Sequence, residues 1–215
     1  MNTRLRGTLC GIGAAVCYGT NPLGAINLYN DGISASATLF YRFALACLTL
    51  GIMMAVQRKS FVVTRRELGI LALLGVFMST SSTTLYFSFL FMDVGVASTL
   101  LFVYPVMVAV IMATMFKEKV TKTTILAITL ALAGIALLNR SGDGTALSLW
   151  GVTLVMLSSL TYAVYIVVVN KSPLRMSSVK LTFYVLFFGM FTILGYTLVL
   201  GEQIQWLTTP RQWAY

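Results

Sequence analysis

The chain alternates long apolar runs with short polar loops. Seven runs stand out: Gly7–Leu28, Ser34–Val56, Leu68–Phe91, Val96–Phe116, Val120–Leu138, Leu149–Val169 and Leu181–Leu200. Each approaches the ~20 residues that a helix needs to cross ~30 Å of hydrocarbon at ~1.5 Å per residue. The pattern is sharpest in the middle. Val96–Phe116 is 21 residues without a charge, Lys117, Glu118, Lys119 and Lys122 form a compact basic turn, and an apolar run then continues to Leu138. This predicts a transmembrane helical hairpin with its turn in water. Short loops make successive helices antiparallel neighbours, so the expected fold is an all-α, polytopic transmembrane helical bundle.

Composition agrees. The chain is 58% apolar and 10% charged, with a mean hydropathy of +0.88. A soluble domain carries about a quarter charged residues. The net charge of +9 changes the picture only through its distribution. Arg4 and Arg6, then Arg58, Lys59, Arg65 and Arg66, then Lys117, Lys119 and Lys122, then Lys171, Arg175 and Lys180 all fall on one side under strict alternation. This is the positive-inside bias, and it puts the N-terminus in the cytoplasm. Seven spans would leave the C-terminus outside. There is no basic stripe or tail, so no nucleic-acid partner is expected. Membrane lipids are, and the predicted location is the cytoplasmic membrane.

Chemistry is excluded more than it is offered. Cys10, Cys17 and Cys47 all lie inside apolar runs, and histidine is absent. No metal-ligand spacing, nucleophile–base pair or phosphate loop occurs, so neither an enzyme nor a cofactor or metal is expected. The apolar run after Arg6 continues to Leu28 without a small-residue cleavage site, which predicts a retained first span rather than a signal peptide.

Two pairs of segments repeat. Gly7 to Tyr18 and Gly151 to Tyr162 each open on Gly and reach Tyr eleven residues later, and Leu39-Phe40-Tyr41 pairs with Thr182-Phe183-Tyr184. The offsets, 144 and 143 residues, suggest a duplicated unit of five spans. An odd span count inserts the second copy upside down, which is an architecture of secondary transporters. Residues 1–140 would form the first repeat, and residues 141–215 the start of a second with two helices. The expectation is seven of ten spans, in a C-terminally incomplete product whose uncovered apolar surface could be met by a homo-oligomer.

Several segments resemble the EamA-type members of the drug/metabolite transporter superfamily. Tyr18-Gly19-Thr20-Asn21-Pro22 resembles the family's aromatic-Gly-Ser/Thr-Asn pattern, with Tyr for the usual Trp. Tyr41-Arg42-Phe43 with Leu45 and Ala46, Tyr104-Pro105-Val106, Lys117-Glu118-Lys119-Val120-Thr121, Gly134 and Leu160 to Tyr165 resemble further family segments, in order, over about residues 7 to 200. The resemblance implies ten helices in two inverted repeats around a central cavity, and movement of small metabolites.

Candidate substrate contacts follow. Arg42 lies eight residues into its span, roughly 12 Å deep. A charge there faces a cavity or partner, and a guanidinium can clamp a carboxylate or phosphate. The alternative is a structural arginine snorkelling outward. Pro22 and Pro105 are expected to break their helices, freeing carbonyls that a cavity or a packed kink could satisfy. Tyr18, Thr20 and Asn21, then Tyr86, Tyr104, Tyr162 and Tyr165, are the other candidate lining residues. The hydroxyl run Ser79–Thr84 is expected mostly to bond within the bundle. Gly7, Gly11, Ala15 and Gly19 form a small-residue seam expected to support close helix contact. Tyr29 and Trp150 suit interfacial anchoring. Asp93 and Glu118 are peripheral, so no midplane proton relay is visible. The reading is a secondary transporter of small organic metabolites or drugs, its substrate carrying an anionic group. The alternative is a non-transporting scaffold that binds partner helices.

Overall fold

The computed structural model describes residues 3–118, 121, 124–126, 128–130, 133–134, 148–202 and 204–214. Its helices are α1 (Thr3–Asn30), α2 (Ala35–Val56), α3 (Arg65–Ser88), α4 (Val94–Leu101), α5 (Tyr104–Met115), α6 (Leu149–Lys171), α7 (Ser178–Val199) and the short α8 (Pro210–Ala214). Among the described residues there is no strand. The predicted run Val120–Leu138 lies largely outside them. Among the described residues, six helical stretches are long and apolar enough to cross a membrane: Gly7–Asn30, Ala35–Val56, Arg65–Ser88, Val94–Met115, Leu149–Lys171 and Ser178–Val199.

Polar loop residues set the helix starts. The side chains of Ser34, Asp93, Ser148 and Ser177 each accept from a first-turn N–H of the helix that follows. Such caps satisfy donors that a helix start otherwise leaves bare. α3 begins at Arg65 rather than Leu68 because Thr64 and Glu67 form a reciprocal capping box one turn earlier.

α3 is the centre of the bundle and packs most extensively against α6 and α7. The crossing with α7 is very close. A Cβ on Gly75 would meet the Phe188 Cβ at 2.6 Å and the Gly189 N at 3.0 Å. A Cβ on Gly189 would meet the Phe43 ring at 2.7 Å. Against α6, Ser81 Oγ donates to the Ser158 carbonyl at 2.9 Å, and Ser158 Oγ donates to the Ser81 carbonyl at 2.7 Å. Thr80 Oγ1 lies 2.7 Å from Tyr196 Oη. Thr80 and Ser81 of the hydroxyl run therefore join α3 to its neighbours, while Ser79 and Thr84 bond carbonyls of α3 itself. The ends are tied as charge predicted: Lys171 Nζ meets Glu118 Oε1 at 2.7 Å, and Lys180 Nζ donates to the Val62 carbonyl at 2.6 Å. The basic loops on either side of these ties share one end.

Two expectations are corrected. The first is the small-residue seam of α1, which has no close contact. Nothing lies within 4 Å of a Cβ built at Gly7, Gly11 or Gly19, and residues 7–20 are all exposed. α1 meets the bundle only farther along, where Ala25 and Leu28 are buried. The seam alternates with Leu9, Ile12 and Val16, all more than half exposed. The first half of α1 is an exposed apolar stretch with no helix packed closely against its glycines among the described residues. The second is Pro22, which does not break its helix: α1 runs through it from Thr3 to Asn30. Proline removes one hydrogen bond, but the flanking turns keep theirs.

Gly75→Leu or Gly189→Leu should lower stability by about 1–3 kcal/mol or more, because the neighbours at these contacts include backbone. Gly11→Ala should leave it unchanged or slightly raised, because alanine is the better helix former. Thermal unfolding of the three variants in detergent checks the contrast.

Candidate functional site

Span four is split where it faces α6. Phe102 and Val103 separate α4 from α5, and Pro105 occupies the first turn of α5. The break predicted at Pro105 thus falls just before it. Without an N–H, Pro105 cannot bond the carbonyl one turn back, at Leu101. Ser159 Oγ on α6 donates to that Leu101 carbonyl at 3.2 Å. The neighbouring helix supplies the donor that proline withholds, as irregular backbone in hydrocarbon requires.

Beside this break, α1, α3 and α4 enclose a cavity of about 80 Å³, lined by Tyr18, Asn21, Pro22, Tyr86, Ser98 and Phe102 among others. Tyr86 is buried and organises one wall. Its hydroxyl donates to Asn21 Oδ1 at 3.4 Å. Its ring packs edge-on with Tyr29 at 6.4 Å, and Tyr29 Oη donates to the Tyr86 carbonyl at 3.2 Å. Tyr29 is therefore part of this cluster rather than a free interfacial anchor. Arg42 reaches across from α2, with Cζ 5.2 Å from the Tyr86 ring centroid. Tyr18 and Tyr29 both lie within electrostatic range of the guanidinium.

Arg42 is part-buried. Among the described residues its guanidinium has no hydrogen-bond acceptor and no carboxylate. A cation–π contact contributes about 0.5–2 kcal/mol, and it uses none of the five N–H donors. Ser98 Oγ is also buried without a partner among the described residues. Among the described residues, the Ser98 hydroxyl thus lacks a partner in the cavity wall, and Arg42 stands behind that wall with Tyr86 as its cation–π contact. The aromatic wall continues toward α6: Phe102 packs on Tyr104 at 6.4 Å, Tyr104 on Tyr162 edge-on at 4.8 Å, and Tyr162 stacks with Tyr165 at 5.7 Å.

Most of the residues predicted from sequence converge here: Tyr18, Asn21, Arg42, Tyr86, Tyr104 and Tyr162. Tyr165 is at the rim and also packs on the core of Leu71, Leu74 and Val185. Thr20 is not brought in. It is exposed and donates to the Cys17 carbonyl of its own helix at 3.0 Å. Ser98 and Phe102 were missed. Their signal was the spacing Ser98, Leu101, Phe102, Pro105, an i, i+3, i+4, i+7 stripe on one helical face.

These elements define a polytopic helical membrane protein with a mostly apolar, aromatic pocket that carries Asn21 and Ser98 beside a proline break. The profile of the EamA-like transporter family matches residues 5–140. The chain belongs to that family. No curated protein and no solved structure matches it.

Ser159→Ala leaves the Leu101 carbonyl unpaired and should cost about 1–2 kcal/mol. The cost should shrink in a Pro105→Ala background, where the chain's own N–H can return. A double-mutant cycle on thermal stability in detergent reads this coupling.

Proposed function

We propose that the chain is a secondary transporter that moves small organic solutes bearing an anionic group across the cytoplasmic membrane by alternating access. The observation that carries this is Arg42: a guanidinium inside a membrane-spanning helix, close to Tyr18, Tyr29 and Tyr86, with no hydrogen-bond acceptor among the described residues. A carboxylate or phosphate would take two parallel N–H bonds from it. The Tyr18, Tyr86, Tyr104 and Tyr162 rings would hold the apolar body, with Asn21 and Ser98 meeting its polar atoms. The break at Phe102–Val103 and the loosely packed α1 support a site whose walls can move. The shared end of the basic loops supports a cytoplasmic N-terminus.

The duplication gains support from the helix starts. Thr64 and Glu67 cap α3 reciprocally. At the start of α8, Gln212 N donates to Thr209 Oγ1 at 3.4 Å, and Gln212 Oε1 accepts from the N–H groups of Thr208 and Thr209 at 2.9 and 3.2 Å. A Thr-x-x-Glu/Gln cap thus opens the third helix of the first unit and recurs near the repeat offset.

Uptake of small carboxylates into proteoliposomes tests the proposal. Arg42→Ala should lower uptake by about tenfold or more, the scale of a lost charged hydrogen bond, while membrane insertion is retained. Arg42→Lys should restore part of it, because lysine keeps the charge and loses the fork. Equal uptake by all three forms would remove Arg42 from the site.

A further inference from the structure

A second feature lies on the opposite side of α2, away from the tyrosine pocket. α2 and α7 border an open groove of about 510 Å³, lined by Cys47, Gly51, Ile52, Ala55, Phe183 and Phe187 among others. On α2 it runs from Ala44 to Ala55, roughly 16 Å at ~1.5 Å per residue. That is about the depth of one leaflet of a ~30 Å hydrocarbon core. Gly51 lets α7 come close at the floor: a Cβ there would meet the Phe183 ring at 3.2 Å.

The groove ends where the basic loop begins. Arg58 N donates to the Ala55 carbonyl and Lys59 N to the Met54 carbonyl, at 3.0 and 2.9 Å. These two bonds are a Schellman cap, whose left-handed position normally takes glycine. Arg58 occupies it with φ 50°, a conformation that disfavours a side chain. The Tyr184 hydroxyl donates to the Phe61 carbonyl, and the Phe61 ring packs on Phe183 at 5.7 Å. These contacts pin the loop over the start of α7. Arg58 is exposed, and neither it nor Lys59 has a carboxylate partner among the described residues. Lys117 shares the left-handed geometry at the end of α5, but the groove below it includes Glu118. The α2–α7 groove joins an apolar floor to a basic loop with no carboxylate partner among the described residues.

We infer that this groove is a binding site for an anionic phospholipid. One acyl chain lies along Gly51, Ala55 and Phe187, and the phosphate is held by Arg58 and Lys59. Apolar lining, leaflet-length depth and charge at the mouth fit that one occupant, and basic residues near a membrane surface favour anionic headgroups. The site is independent of the transport proposal.

The test uses the purified full chain in neutral detergent, with phosphatidylglycerol or phosphatidylcholine of matched chains, read by native mass spectrometry. Phosphatidylglycerol should be retained about fivefold more strongly, on the order of one interfacial cation's contribution. Arg58→Gly should erase most of that preference while leaving the lipid-free unfolding midpoint unchanged or higher, because glycine suits the cap. Ala55→Trp, at an exposed position, should reduce retention of both lipids by filling the groove. No preference in the parent chain, or a preference unchanged in Arg58→Gly, overturns the inference.

Discussion

The bundle depends on the crossing of α3 and α7 at Gly75 and Gly189. Two helices bring their backbones together here because neither carries a Cβ at the contact. In hydrocarbon, apolar side chains gain little by leaving lipid for protein. Close packing and hydrogen bonds must hold the helices instead. The crossing supplies the packing. The reciprocal Ser81–Ser158 clasp, a little under two turns further along α3, supplies the hydrogen bonds.

The same crossing positions the candidate site. Phe43 fills the space left by Gly189 and is itself buried, which fixes the face that α2 turns inward. Arg42, the preceding residue, is then directed toward Tyr86 on α3. Tyr86 in turn meets α1 through Asn21 and Tyr29. One close contact thus sets the geometry of a guanidinium on a third helix. α1 is held mainly through this polar and aromatic end, and its exposed half has no comparable constraint.

Backbone groups freed by proline receive different treatment at the two prolines. At Pro105 the helix yields, and Ser159 satisfies the exposed Leu101 carbonyl. At Pro22 the helix continues. A partner hydroxyl on a packed neighbour is what distinguishes the first case. A cavity beside a proline is therefore decided by the facing helix as much as by the proline.

Much of the fold was legible in the chain. The number of apolar residues per run fixes membrane-spanning length, and the basic loops fix which ends lie together. These are local properties, and the bilayer enforces them on each segment separately. The order of the motifs also carried the family. Within the site, Arg42 stood out because a buried charge is costly wherever it occurs. The close contacts were not legible in this way. Gly7, Gly11 and Gly19 looked like the packing seam, yet Gly75 and Gly189, which form no such repeat, make the crossing. Thr20 looked like a neighbour of Asn21, but helical rotation turns it away. Ser98 looked unremarkable until α1 and α3 closed around it. Which small residue is buried, and which hydroxyl is left unpaired, depends on what the other helices place opposite it. Residues far apart in sequence supply those neighbours, so only the tertiary structure decided them.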